Sequence, residues 1–495
     1  MAPDPAPGAR LADDGVVLPA VDRRSVRRIH FVGVAGTGMG SFAGMLKTAG
    51  YEVTGSDQNV FPPMSEMLAA WGIRVLTPYS PANLDAAKPD LVIIGNVIRR
   101  VNPEAGEVRA RRLPQMSFPA ALGSFFLDAR HAVVVVGTHG KTTTAALMGH
   151  VLVEAGRDPS FLVGGVLRNY AANYRLGAGP HFVVEGDEYD TAYFDKGPKF
   201  LHYRPRTAIL TSIELDHADI FRDLPHYESA FERFVGLLPP DGLLAVSAAY
   251  PNALRIARRG PARVVTYAAA HDAAADYTVR DLALDPEGAR FDVLERGRVI
   301  GPMRLPLGGA HNVENALGVV AAALGLGLAL EEVRHGLATF AGVRRRQELR
   351  AEVGGVTVID DFAHHPTAVR ETLAAIRARY PGRRVWAVFE PRSNTSRRNI
   401  HQDEYALAFA GAGRVSLKIP EPHDMVPADQ RLDVARLTAA LGRQGIEAEA
   451  EPEVDALVLR VARGLRPGDV VLVMSNGAFG GFLDKLLAAL GHPPP

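Results

Sequence analysis

The chain has 495 residues, 47% of them hydrophobic and 22% charged, with 55 basic residues balanced by 55 acidic ones. That length favours two to four domains over one core, and zero net charge excludes recruitment of nucleic acid or anionic membrane by an overall field. The absence of cysteine excludes disulfides, thiolate metal sites and a thiol nucleophile, and suits a reducing compartment.

In chain order, residues 1–26 read as a disordered lead-in. Prolines and acids in "MAPDPAPGARLADDG" stand where a secretory signal needs an apolar core. Between 27 and 127, strand-like runs such as "RRIHFVGV" and "DLVIIGNV" alternate with helical stretches, the pattern of a parallel sheet built from strand–helix units. The turn "GVAGTGMGSFAG" places Gly36, Thr37, Gly38, Met39 and Gly40 between a strand and a helix. There, free N–H groups at the helix start suit a pyrophosphate. Ser41 stands where a third glycine of a dinucleotide fingerprint is expected. Asp57, about 20 residues on, is placed to accept a ribose hydroxyl. The residues fit NAD and a nucleotide-sugar equally well, with a purely structural glycine turn as the third reading.

A second block, 128–343, opens with "HAVVVVGTHGKTTTAALMGH". Gly137, Thr138, His139, Gly140, Lys141, Thr142 and Thr143 form a shortened phosphate loop after a β-branched strand. Its N–H groups would cradle phosphates, Lys141 would sit at the β and γ groups, and Thr142 would offer a hydroxyl to Mg²⁺. "HFVVE" ends in Glu185 and "TAILTSIELDH" in His217, two candidate metal ligands at the carboxyl ends of strands. The apolar run 316–330 is expected to be one buried helix, since a bilayer takes roughly 20 residues. A third block, 344–495, begins near "GVTVIDDFA" and closes with "DVVLVMSNGAFGG", so each block is expected to be α/β.

These segments resemble the Mur ligase superfamily, ATP-dependent enzymes that join an amino acid or peptide to a UDP-muramoyl carboxylate. The resemblance is carried by "GTHGKTTT", by "GGAHNVENALGVVAAA" (308–323) and by "RRRQELRAEVGGVTVIDDFAHHPTAV" (344–369). It spans about 28 to 487, nearly the whole chain. It implies a Rossmann-like UDP-binding domain, a P-loop ATPase-like central domain and a Rossmann-like carboxyl-terminal domain. The first loop, with Asn96, would then take the UDP of the sugar and the second ATP. "DEYDTAYFDKGPKFLHYRPRTAIL", "LDHADIF", "FEPRSNTS" and "VMSNGAFGG" are similar to the branch that attaches L-Ala-γ-D-Glu-meso-diaminopimelate to UDP-N-acetylmuramate in peptidoglycan recycling. The alternative is the L-alanine ligase of de novo peptidoglycan synthesis. In two places the chain departs from the pattern. Gly186 stands where alanine is common, and Gly197 where a second basic residue is common.

The resemblance implies phosphoryl transfer from ATP to the lactyl carboxylate, then attack of the peptide amine on the acyl phosphate. Lys141 would serve the phosphates. Thr142 and Glu185 would hold a first Mg²⁺, with Glu185 and His217 on a second. His311, Asn312 and Asn315 would meet adenine, and Arg346 and Asp361 would reach ATP across a domain boundary. Arg392, with Arg397 or Arg398 behind it, Ser475 and Asn476 would hold the peptide, and His364 or His365 would orient its amine. Residues 221–234 contain no lysine, so the carbamylated lysine of some relatives is not expected. The partners expected are UDP-N-acetylmuramate and the tripeptide, with no nucleic acid and no membrane, in the cytoplasm.

Overall fold

The computed structural model describes residues 10–11, 17–18, 21–61, 64–270, 274–421 and 426–491. Most of the lead-in at 1–20 lies outside the described residues. Within it Arg10–Leu11 pairs antiparallel with Val17–Leu18, and beyond it Val26, still inside the 1–26 segment expected to be disordered, packs into the first core.

Three large sheets of five, ten and six strands follow one another along the chain, flanked by helices in an α/β architecture. In the first sheet Arg28–Val32 is central, between Glu52–Ser56 and Leu91–Ile94, and every pairing is parallel. Two of the helices between these strands start on side-chain caps followed by proline. Ser80 precedes Pro81, and Asn102 precedes Pro103. The capping oxygen takes the otherwise unbonded N–H groups, and proline has none to lose.

In the second sheet His131–Val136 lies between His181–Glu185 and Thr207–Leu210, all parallel. Valine fills the central strand because both faces are covered by helices. Beyond the parallel run the sheet continues as an antiparallel meander, Tyr277–Asp285, Gly288–Glu295 and Arg298–Leu305. The helix expected over 316–330 comes out as Ala310–Gly325 and a separate Leu330–Thr339. Gly327, at φ +84°, takes the left-handed turn that ends the first of them. Among the described residues no helix is long and apolar enough to cross a membrane.

The third sheet begins with an antiparallel strand, Glu348–Val353, and continues parallel through Val356–Asp361, Val470–Met474 and Val385–Phe389. One apolar cluster joins the first sheet's interior to one face of the second. It runs from Phe31 and Phe42 to Phe182 and Phe234, and Ser41 accepts a hydrogen bond from Asn173 at 2.6 Å across that boundary. The third sheet has two clusters of its own.

Register sets the sites. Val32 is level with Ser56 and Ile94, Val135 with Glu185 and Val136 with Leu210, and Met474 with Asp361 and Phe389. In each sheet, three neighbouring strands therefore release their loops side by side at the carboxyl edge, where open α/β sheets bind ligands.

Candidate active site

The loop from Gly137 to Gly140 joins the central strand of the second sheet to the helix Lys141–Glu154. Gly140 has φ +79°, and a Cβ there would stand 2.4 Å from Asn315 Oδ1. Asn315 donates to Asn312 Oδ1 at 3.4 Å, and Asn312 to Gly308 O at 2.8 Å. The loop and these two amides are thus fitted to each other. An alanine at Gly140 takes on about 1–2 kcal/mol of left-handed strain and displaces Asn315. We expect ATP to bind about tenfold weaker to Gly140→Ala by calorimetry, the loss of about one hydrogen bond from the displaced Asn315; unchanged affinity would separate Asn315 from nucleotide recognition.

Thr142 donates its hydroxyl to Glu185 at 2.9 and 3.0 Å, and Gly164 N–H donates to the same carboxylate at 2.8 Å. Arg346, arriving from beyond the second sheet, donates to Thr142 Oγ1 at 3.2 Å and lies over the Phe362 ring at 4.7 Å. The predicted Lys141, Thr142, Glu185 and Arg346 are therefore gathered around one loop.

His217 is not beside Glu185 in the same way. Its Nε2 stands 3.5 Å from Glu188, a residue that sequence reasoning passed over. Glu188 is 1% exposed, 3.0 Å from Lys141 Nζ, and accepts from the Tyr227 hydroxyl at 2.9 Å. Burial works against charge on Lys141, but Glu188, Asp187 and Glu185 outweigh it and raise the lysine above its usual value. Burial likewise opposes charge on His217, yet Asp216, Glu188 and Asp187 push it up to about 9. The only signal for Glu188 in the sequence was its place in the acidic run "EGDEYD". Gly186 in that run is closely packed, since a Cβ would meet Val136 Cγ1 at 2.5 Å.

A cavity of about 280 Å³ adjoins the loop, lined by His139, Gly140, Thr143, Asn312, Asn315 and Arg346 among others. His311 and Asp361 also face it. His311 Nε2 is 3.1 Å from Gln347 Nε2. Asp361 accepts from the N–H groups of Gln347 and Ala363, each at 2.7 Å, so it shapes the segment that carries Arg346. The Thr138 hydroxyl donates to Glu214 O at 2.9 Å. His139 pairs with Glu214 at 2.7 Å.

At the third sheet's edge, Arg392 is exposed and lies so close to Gly477 that a Cβ there would meet its Nη1 at 2.2 Å. Ser475 donates to Glu390 at 2.5 Å, and Asn476 Oδ1 and Arg397 Nε are buried without a hydrogen-bond partner. Arg398 reaches Gln430 at 2.7 Å. His364 Nδ1 is 3.1 Å from Phe362 O, and its Nε2 is 3.9 Å from Asp216. Asn394 and Tyr189 both donate to Asp219, at 2.9 and 2.5 Å, which ties this edge to the second sheet.

In the first sheet Gly36, Thr37 and Gly38 are exposed at the loop tip, while Met39 is buried and offers a ligand only its backbone. Gly40 lies against Met64, and Asn96 is half-buried beside the loop. Asp57, expected at a ribose, has both oxygens engaged. Ala35 N–H and the Tyr79 hydroxyl donate to it at 2.8 and 3.1 Å.

Three family models match the chain. The Mur ligase family catalytic domain covers residues 28–130, the Mur ligase middle domain 135–323, and the Mur ligase glutamate ligase domain 345–477. The chain is 41% identical over 465 residues to the UDP-N-acetylmuramate–L-alanyl-γ-D-glutamyl-meso-2,6-diaminoheptanedioate ligase of Escherichia coli K12, covering 94% of this chain and 98% of that one. It is 37% identical to the UDP-N-acetylmuramate–L-alanine ligase of Salinibacter ruber, covering 93% and 94%. A crystal structure of a murein peptide ligase from Psychrobacter arcticus superposes with a TM-score of 0.72 at 33% identity, covering 94% and 98%. With its phosphate loop, facing acid and cross-boundary arginine on one edge, the chain belongs to the Mur ligase family.

Proposed function

We propose that this enzyme is an ATP-dependent ligase that joins L-Ala-γ-D-Glu-meso-diaminopimelate to the lactyl carboxylate of UDP-N-acetylmuramate, in peptidoglycan recycling. The observation that carries the reading is Arg346 on Thr142, beside Lys141 and Glu185. A charge from beyond the second sheet completes a phosphate site, which is what phosphoryl transfer to a carboxylate needs. The named relative supports the tripeptide over alanine as the amine.

Residues 27–127 would carry the UDP-sugar site, 128–343 the ATP site and 344–495 the peptide site, in the cytoplasm. Lys141 holds the β and γ phosphates, Asn312 and Asn315 the adenine, and Arg346 the transferred group. Thr142 and Glu185 offer three oxygens on one spot, a donor set that fits Mg²⁺. His217 would add a minor nitrogen for a second ion. Bound there, Mg²⁺ would neutralise phosphate charge. Arg392 and the unpaired Nε of Arg397 suit the peptide's carboxylates, as forked donors do. Asp57 orders the first loop through Ala35, so the loop's N–H groups meet the diphosphate already aligned.

The test is incubation with ATP, Mg²⁺ and UDP-N-acetylmuramate, offering tripeptide and alanine in separate reactions. Tripeptide-dependent ADP release with UDP-linked product is expected. Product from alanine alone would make this the alanine ligase.

A further inference from the structure

His139 in the phosphate loop, Glu214 after the strand Thr207–Leu210 and His365 ahead of the helix Pro366–Arg379 come together from three distant parts of the chain. Each offers one ligand atom, and these atoms lie within 4.8 Å of one another. The rings of His139 and His365 have centroids 4.5 Å apart, and those of His365 and His401 are 4.6 Å apart. His365 is 6% exposed. Its Nδ1 accepts a long hydrogen bond of 3.3 Å from Thr367 N–H, and its Nε2 is buried with no partner, as is Nε2 of His401. An unsatisfied buried polar atom costs about 1–3 kcal/mol, so an unpaired imidazole nitrogen on His365, clustered with Glu214, calls for an occupant. Two imidazoles and a carboxylate with a position left open are the donor set of zinc and its neighbours. Mg²⁺ prefers oxygen throughout and is poorly served here.

We propose that His139, Glu214 and His365 form a site for a borderline transition-metal dication such as Zn²⁺, separate from the oxygens of Thr142 and Glu185, which pins the third domain to the phosphate loop. Ligation replaces the hydrogen bond between His139 and Glu214. At His365 it moves the ring proton to Nδ1 and gives up only the long bond from Thr367. Around a tetrahedral ion with bonds of about 2.0 Å the ligand atoms stand about 3.3 Å apart, so the His139–Glu214 pair, now 2.7 Å apart, would open slightly. His139 and Thr367 both line the nucleotide cavity, so an ion here acts on closure of that cavity and not on the transferred phosphate.

The test is a Co²⁺ titration of the untagged, nucleotide-free full chain in excess Mg²⁺, read by ligand-field absorption. One tightly bound equivalent with tetrahedral bands is expected. Glu214→Gln and His365→Gln should each weaken it by about 100-fold or more, at least the upper range for losing a supporting partner, while His217→Gln leaves it unchanged. Bands that survive both cluster variants, or vanish with His217→Gln, overturn the proposal, as does the absence of binding. Should either cluster variant fail to fold, anomalous diffraction from a zinc-soaked crystal of the unmodified protein decides. A peak between His139, Glu214 and His365 supports the site, and none there overturns it. No substrate enters either measurement, so the result is independent of which ligase reaction the chain performs.

Discussion

Lys141→Ala is expected to lower turnover by about 10²-fold or more, the usual consequence of removing one preorganised charge stabiliser. That corresponds to about 2.7 kcal/mol of transition-state stabilisation. Lys141 is the first residue of its helix and is held against the backbone of its own loop, 2.5 Å from Gly137 O. Its ammonium is therefore already at the loop before nucleotide arrives and has only to exchange Glu188 for the phosphates. Three carboxylates raise its pKa, so it stays charged throughout the range in which the protein can be assayed. Phosphoryl transfer gathers negative charge at one point, and a fixed cation there acts more in the transition state than in the ground state. Turnover should fall further than ATP affinity, and rapid-quench measurement of phosphoryl transfer beside nucleotide titration separates the two. Near-normal turnover would remove the lysine from the mechanism.

How much of this site was legible depended on whether chemistry and chain order coincided. The phosphate loop was legible because glycine, lysine and threonine are contiguous and follow an unbroken valine strand. Glu185 was legible because it ends a strand, and strand ends carry ligands in such sheets. Arg346 and Asp361 carry no local signature, and resemblance alone pointed to them. Glu188 was missed because Asp187, Glu188 and Asp190 are equivalent by residue type, and only the turn after Glu185 decides which one points at Lys141. At Asp57 the spacing from Gly38 suits a ribose, but spacing does not reveal that Ala35 N–H and the Tyr79 hydroxyl already donate to its oxygens. The meander over 277–305 was unread because its register is set by pairing between its own strands. The single helix expected over 316–330 ran past the observed end at Gly325 because apolar character continues past Gly327, whose backbone does not.

Glu188→Gln is expected to destabilise the empty enzyme by about 3 kcal/mol, the lower range for breaking a buried ion pair by removing one partner. Glu188 is almost fully buried and faces Lys141, His217 and the Tyr227 hydroxyl together. Burial alone would raise its pKa, yet Lys141 and His217 bring it below the ordinary value, so in the empty site it is the counter-ion of both cations. Glutamine keeps the shape and the bond to Tyr227 but leaves those cations without their carboxylate. ATP supplies negative charge to the same lysine, so it should restore more stability to the variant than to the unmodified enzyme. The thermal shift on adding ATP should therefore be larger in Glu188→Gln, and ATP affinity equal or tighter, because Lys141 no longer has to leave a partner. Turnover should still fall, since His217 loses the group that orients it. If ATP instead binds more weakly while the empty protein keeps its stability, Glu188 acts on the nucleotide or its metal directly and the counter-ion account is wrong.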